Sequence, residues 1–418
     1  MTQDSQRRTV VLLAMLAVFI CYIDRVNISV AIIPMTEMHG WDLRTQGLIL
    51  SSFYLGYMLF QLAGGLLSDR FGGKLVLGLG VVFWSIFTLL TPVSAGLGLT
   101  TLLLCRVFMG LGEAITFPAI YSLFARWIPI EQRAGALGLV NSGIPLGTVF
   151  ALLMTPVIVT AYGWEAAFYS FGLVGIGWYL LWNYCIPADP NYRGANCNPP
   201  SANTSDIGAG AKSVQFSTLL SLLRHRSIWA IIVAHFCNNW SIYLLLSWLP
   251  TYISSQFGVQ YSSLGLYAMI PYLSLFIFLN VAGRAADKLI RRGCSTLRVR
   301  KTMQSISFGG IAMAFFTLGF VEDVWMAVMT VAIGTGLLSF SMGGFAANHM
   351  DVAPRYSGSL MGVTNTIASI PGVVGVYATG VILEHTGSWE LVFDIAAVVA
   401  LIGLVFYLAF ASTDEIAE

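Results

Sequence analysis

The chain has 418 residues, of which 57% are hydrophobic and only 10% charged, with a formal net charge of +1. Soluble domains carry about 25% charged residues, so a bilayer is the solvent this composition fits. The near-neutral balance gives no reason to expect a nucleic-acid partner. The six cysteines, Cys21, Cys105, Cys185, Cys197, Cys237 and Cys294, have no metal-ligand spacing, and no metal or other cofactor is expected.

A spanning helix takes about 20 apolar residues, and twelve such runs follow one another. Run one, 9–36, is too long for a signal peptide and is interrupted midway by charge, so it is expected to remain as a helix. It holds Tyr22-Ile23-Asp24-Arg25-Val26-Asn27. Ionisable residues at mid-membrane cost about 2.5–3.5 kcal/mol each on insertion scales and mark function by default. Run two, 45–68, contains Tyr57 and ends in Gly65-Leu66-Leu67-Ser68-Asp69-Arg70-Phe71-Gly72-Gly73-Lys74. Glycine permits close helix approach, and Asp69 can cap a neighbouring helix and pair with an arginine. Asp69, Arg70 and Lys74, with Arg133 two loops on, are therefore candidates for a latch that breaks and re-forms between halves.

Run three, 74–93, precedes run four, 98–125, which holds Cys105-Arg106 and, seven residues on, Glu113. Seven residues are about two turns, so Arg106 and Glu113 share a helix face and differ in depth by about 10 Å. A guanidinium is a planar fork that stays charged at any relevant pH, so Arg25 and Arg106 facing one cavity make an anion site. The same residues could instead form fixed ion pairs that pin the bundle. With Asp24 and Glu113 both ionised the four charges cancel. A proton on either leaves a positive site, which predicts that an anion and a proton enter together.

Run five, 134–160, opens with Gly135, Gly138 and Asn141, and run six covers 164–187. The stretch 188–226 contains Pro190, Pro199 and Pro200 with Gly, Ser and Asn, and reads as a linker. The expected organisation is a six-helix bundle over 1–187, the linker, and a second bundle over 227–418. Run seven, 227–252, carries His235, Asn238 and Tyr243. Run eight, 262–285, ends in Gly283-Arg284-Ala285-Ala286-Asp287-Lys288, a second copy of the loop pattern at the matching place. Asp287 and Lys288 join the latch candidates. Runs nine and ten cover 301–320 and 324–347. Run eleven, 356–383, repeats the opening of run five as Gly358, Gly362 and Asn365, and run twelve covers 388–411. These echoes predict an all-α membrane fold of twelve transmembrane helices in two pseudo-symmetric halves. Tyr22, Tyr57, Asn238, Tyr243 and Asn365 are candidate cavity residues, although tyrosines also favour interfaces and asparagines also bridge helices. Lysine and arginine gather at one set of run ends and Arg44 stands nearly alone at the other, so both termini and the linker are expected on the cytoplasmic side of the cell's inner (plasma) membrane.

The Gly65-x-x-x-Asp69-Arg70-x-Gly72-x-Lys74 pattern resembles the loop signature of the major facilitator superfamily. Asp24-Arg25-x-Asn27, Arg106-x6-Glu113 and Asn348-His349-x-Asp351-x-Ala353-Pro354-Arg355-Tyr356 are similar to the anion:cation symporter family within it, which includes sialin, vesicular glutamate transporters, plastid phosphate carriers and bacterial sugar-acid transporters. The resemblance implies two six-helix bundles around a central cavity, alternating access, substrate binding at Arg25 and Arg106, and proton coupling at Asp24 and Glu113. Asn238 stands where the vesicular glutamate transporters carry an arginine, and Leu50 where they carry a histidine, which turns the expectation away from glutamate. The expected activity is proton-coupled symport of a sugar acid, sialate or other carboxylate by a protein functional as a monomer. Inorganic phosphate with a proton or sodium is the alternative. A drug:proton antiporter fits less well, because run five has Asn141-Ser142-Gly143-Ile144-Pro145 where an antiporter motif would stand. The chain carries no HExxH or GxSxG, so an enzyme is not expected.

Overall fold

The computed structural model describes residues 3–186, 223–354 and 357–416, except for the side chains of 3, 4, 62, 69, 126, 130, 131, 134 and 357–359. Most of the expected linker, with Cys197, lies outside the described residues, as do Arg355 and Tyr356 of the motif after run ten.

Among the described residues, twelve helical passages follow at the places of the twelve apolar runs. They are α1 (Gln3–His39), α2 (Leu43–Phe71), α3 (Gly73–Leu97), α4 (Leu99–Ala114, then Thr116–Trp127), α5 (Ile130–Asn141, then Gly143–Tyr162) and α6 (Trp164–Cys185). The second set is α7 (Arg226–Phe257), α8 (Leu264–Ala268, then Ile270–Arg291), α9 (Thr296–Leu318), α10 (Val324–Leu338, then Phe345–Val352), α11 (Ser357–Ile367, then Ile370–Thr386) and α12 (Trp389–Phe410). Among the described residues nine stretches are long and apolar enough by themselves to cross a membrane.

The breaks have a local cause. Those in α4, α5, α8 and α11 are followed within about one turn by Pro118, Pro145, Pro271 and Pro371. Proline has no N–H to give the preceding turn and clashes with it, so each helix restarts. The α5 and α11 breaks stand just after the echoed Asn141 and Asn365, one in each half.

Glycines set the tightest helix crossings. A Cβ on Gly56 of α2 would meet the Val107 carbonyl, and one on Gly110 of α4 would meet the Phe53 carbonyl. The α2–α4 crossing is thus locked at backbone contact, which fixes Phe53 beside Arg106. In the loop signature, Gly72 takes φ 86° between α2 and α3, a left-handed conformation that suits glycine. Gly73 packs on the Ala119 carbonyl. Gly65 differs from the expectation of close approach, since the space over its Cα is open.

The two halves meet at the face opposite the basic loops. There α2 crosses α11, with Gly47 and Gly380 in contact. Glu384 of α11 accepts the Leu43 backbone N–H at 2.9 Å, and the Arg44 guanidinium donates to the Tyr377 hydroxyl at 3.0 Å. A carboxylate on the first turn of a helix answers its unpaired N–H groups and its dipole. Asp42 caps the same turn through Thr45, whose hydroxyl and N–H hold the Asp42 carboxylate below its usual range. The pseudo-symmetric pair closes likewise: Gly265 of α8 sits on the Leu152 carbonyl of α5, and Tyr261 donates to the Val30 carbonyl at 3.2 Å. Toward the basic face the same helix pairs leave open space over Gly65 and Gly362, and over Gly135, Gly138 and Gly283. The halves thus make close contacts at the far face, while these glycines toward the basic face stand in open space. Glu384→Ala removes a cap contact of about 1 kcal/mol, so the ratio of closed to open far face should fall about fivefold. Spin labels at the far ends of α2 and α11 should show the added open population by pulsed electron resonance.

Candidate functional site

The charged side chains of α1 and α4 are buried together: Asp24 and Glu113 are fully buried, Arg106 is 1% exposed and Arg25 5%. Arg25 donates to one Glu113 oxygen twice, through Nε at 3.1 Å and Nη2 at 2.9 Å. Cys21, one turn before Arg25, donates its thiol to that same Oε2 at 3.1 Å. The other oxygen, Oε1, is buried without a hydrogen-bond partner. The Arg25 guanidinium also lies over the rings of Tyr22 and Tyr57 at 4.7 Å and of Phe53 at 5.0 Å.

Arg106 differs. Among the described residues it has no carboxylate in ion-pair range. Its Nη1 lies 3.0 Å from the Met109 sulfur, its Nε is unpartnered, and it stands 5.3 Å from the Phe53 ring. The two guanidiniums therefore share an aromatic neighbour, and both line a small cavity with Ser29, Leu50, Tyr54 and Ser247. At about 10 Å³ that cavity is near the least a single water needs, so the site is collapsed around its charges.

Asp24 stands apart from the Arg25–Glu113 pair. It points away to α3, where the Trp84 indole N–H donates to Oδ2 at 3.1 Å, and Oδ1 is unpartnered. Adjacent helical residues lie about 100° apart around the axis, so Arg25 and Asp24 face different neighbours. Trp84 is the donor that holds Asp24. Asn27 is fixed from α5, its carbonyl accepting from Thr155 at 3.1 Å.

The second bundle contributes neutral groups. Tyr243 stacks against Tyr54 across the interface with ring centroids 4.5 Å apart. Asn238 donates to the Asn239 carbonyl oxygen at 3.4 Å, and Asn239 reaches the Tyr243 hydroxyl at 3.3 Å and the Ala368 carbonyl in the α11 break at 3.0 Å. Asn365 is half-buried, its backbone carbonyl accepting from Ser369. Phe53, Tyr54, Ser29, Ser247 and Cys21 were not singled out in the sequence. Only Cys21 carried a signal, because it sits one turn from Arg25 on the same face.

The motif after run ten acquires a reason. Asn348 donates to the Tyr407 hydroxyl of α12 at 3.0 Å. His349 meets Thr364 of α11 at 2.9 Å, and Thr364 meets His235 of α7 at 3.1 Å. Asp351 takes a two-pronged pair from Arg300 of α9, at 2.7 and 3.2 Å. Three side chains in one turn thus tie α10 to four neighbouring helices.

The latch candidates lie along the basic-face ends of the helices. Asp287 and Lys288 are exposed and make no ion pair among the described residues. Arg70 is exposed and lies over Phe71 at 5.2 Å, and the Lys74 backbone carbonyl accepts from Trp182. The Asp69 side chain lies outside what is described. Arg133 donates to the Ala125 and Ile128 carbonyls at 2.6 and 2.9 Å, so it caps the end of α4, where a cation suits the dipole.

The Major Facilitator Superfamily model matches residues 14–376. The chain belongs to the major facilitator superfamily. This member is 40% identical over 422 residues to the chloroplastic ascorbate transporter of Arabidopsis thaliana, covering all of this chain and 77% of that one. It is 41% identical over 413 residues to the chloroplastic sodium-dependent phosphate transport protein 1 of the same plant, covering 99% and 80%. The solved structure of a bacterial homologue of the human lysosomal transporter Spinster, inward-facing and unoccupied, superposes with a TM-score of 0.75 over 98% of this chain and 96% of the other, at 19% identity. That likeness is one of fold. As a member of this superfamily the chain is a secondary transporter rather than an enzyme.

Trp84→Phe removes the one donor Asp24 has among the described residues. It should lower unfolding stability by about 1–3 kcal/mol, and by clearly less in an Asp24→Asn background, as a thermal-unfolding double-mutant cycle would show.

Proposed function

We propose that this transporter carries a small organic anion, a sugar acid, sialate or other carboxylate, together with a proton, by alternating access between its two bundles. The observation that carries this reading is Arg106, a buried guanidinium on the cavity wall with no carboxylate to answer it. An uncompensated charge at that depth is costly unless a partner arrives, and a carboxylate substrate is such a partner. Phe53 gives both arginines a π-face, and Ser29, Tyr54 and Ser247 line the same cavity with hydroxyls that suit the rest of a polyhydroxylated acid.

Proton coupling follows from counting charge. Arg25 and Glu113 neutralise each other. Among the described residues Asp24 has no cation in ion-pair range, and a buried carboxylate without one is costly unless it bears a proton. With a proton on Asp24 the site is one positive charge in excess, which one anion balances. Without it the charges cancel and the anion is disfavoured. Glu113 is the second coupling group: a proton on it releases Arg25 to the substrate. Asn238, Tyr243, Tyr22, Tyr57 and Asn365 are proposed as neutral contacts. Asp69, Arg70, Lys74, Asp287 and Lys288 are proposed as the latch that closes the basic face in the opposite state, with Arg133 fixing the end of α4 beside it. The basic face is proposed to be cytoplasmic in the cell's inner (plasma) membrane, with a single copy sufficient for transport. The name of the plastid phosphate relative favours a second reading, inorganic phosphate with proton or sodium as the driving ion.

Proteoliposomes under an imposed pH gradient, given labelled gluconate, ascorbate or phosphate, test these readings. The organic anions should accumulate and phosphate should not. Arg25→Ala and Arg106→Ala should each lower uptake by about 10- to 100-fold, the loss of a charged hydrogen-bond partner. Normal transport by both would remove the proposed site. Asp24→Asn and Glu113→Gln should abolish uphill accumulation and leave counterflow exchange measurable. Full pH-driven accumulation by either variant would contradict its role in coupling.

A further inference from the structure

The Glu113 carboxylate is bonded unevenly. Oε2 accepts three donors, Arg25 Nε, Arg25 Nη2 and the Cys21 thiol, while Oε1 accepts none. Cys21 and Arg25 stand four apart on α1, so they reach the carboxylate from the same helix face. The thiol is fully buried and also lies 3.8 Å from Arg25 Nη2. It is thus held between the two members of the ion pair.

We propose that Cys21 is a positioning residue for proton coupling, setting how readily Glu113 takes a proton and lets go of Arg25; this rests on the coupling role given to Glu113 above. A proton arriving at Glu113 has one vacant oxygen, Oε1. Once it binds there, Oε2 becomes a carbonyl oxygen and a weaker acceptor, and all three donors lose strength together. A donor to the ionised carboxylate favours that form. The S–H group is a weak donor, so it favours the ionised form only slightly and leaves the switch near balance. The other titratable or charged groups that act on this carboxylate are Arg25 of α1, Arg106 on α4 itself, Tyr54 of α2 and, from its place against α3, Asp24, while Tyr22 and Tyr57 act on Arg25. Among the described residues Cys21 is the neutral donor to Glu113, so its donor strength can be tuned without changing the charge of the site.

Infrared difference spectra of the purified, lipid-reconstituted protein test this directly. The band to follow is the protonated-carboxyl stretch that Glu113→Gln removes. Cys21→Ser, with a stronger donor, should move its titration midpoint to lower pH, and Cys21→Ala, with none, to higher pH, each by about half to one unit. The pH profile of gluconate uptake should move in the same two directions. Shifts of the same sign in both variants, as packing alone would give, would overturn the proposal. So would unchanged midpoints, or a Glu113 band that never appears. Opposite band shifts without proton-driven uptake would uphold the positioning role and refute the symport reading instead.

Discussion

Two guanidinium groups buried in the first bundle have to be answered by negative charge, and among the described residues only one of them has a carboxylate in ion-pair range. Arg25 is held by Glu113 from the facing helix. Arg106 is left with a sulfur and an aromatic ring. Removing one partner of a buried pair typically costs about 3–5 kcal/mol, so a fold that keeps a buried arginine unmatched has to compensate elsewhere. The α2–α4 crossing supplies that support. Gly56 and Gly110 bring the backbones into contact, and the contact sets Phe53 beside both charges. The site is therefore strained electrostatically and rigid sterically, which is the combination that favours capture of an anion over collapse onto an internal carboxylate.

Much of this architecture could be read in the sequence, for stated reasons. Hydropathy runs located the passages, since only a helix satisfies its own backbone in lipid. The seven-residue spacing placed Arg106 and Glu113 on one face. Pairing was not legible. Glu113 meets Arg25, 88 residues earlier, rather than Arg106 on its own helix, and nothing in local spacing says which facing helix lies closer. The Asp24–Trp84 bond escaped for the same reason, as did Phe53, an apolar residue whose importance lies in what it touches. The echoed Gly65 suggested close packing, whereas Gly72 and Gly73 do that work here, one by its φ and the other by contact.

The moving parts are built from prolines and glycines in matching places. Breaks before Pro145 and Pro371 divide α5 and α11 at the depth of the echoed asparagines. Beyond each break the far-face segment packs on the other bundle, and before it the basic-face segment carries glycines with open space. A helix broken at that level can change partners at one end without disturbing the other. Glu384, reaching from α11 to cap α2, adds an exposed polar contact to the closely packed α2–α11 seam that Gly47 and Gly380 set.

The two bundles divide the labour unequally despite their shared plan. The first holds all four buried charges of the site. The second faces it with Asn238, Tyr243 and Ser247 and has its own ion pair, Arg300–Asp351, at the basic face instead. There Asn348, His349 and Asp351 bind α10 to α7, α9, α11 and α12, so that half is stiffened where the first is charged. A stiff, neutral partner keeps its shape when the charge opposite it changes. In the proposed cycle the electrostatic change on protonation or anion binding falls on α1 and α4, and a second bundle that does not relax to absorb it leaves that change to move one bundle against the other.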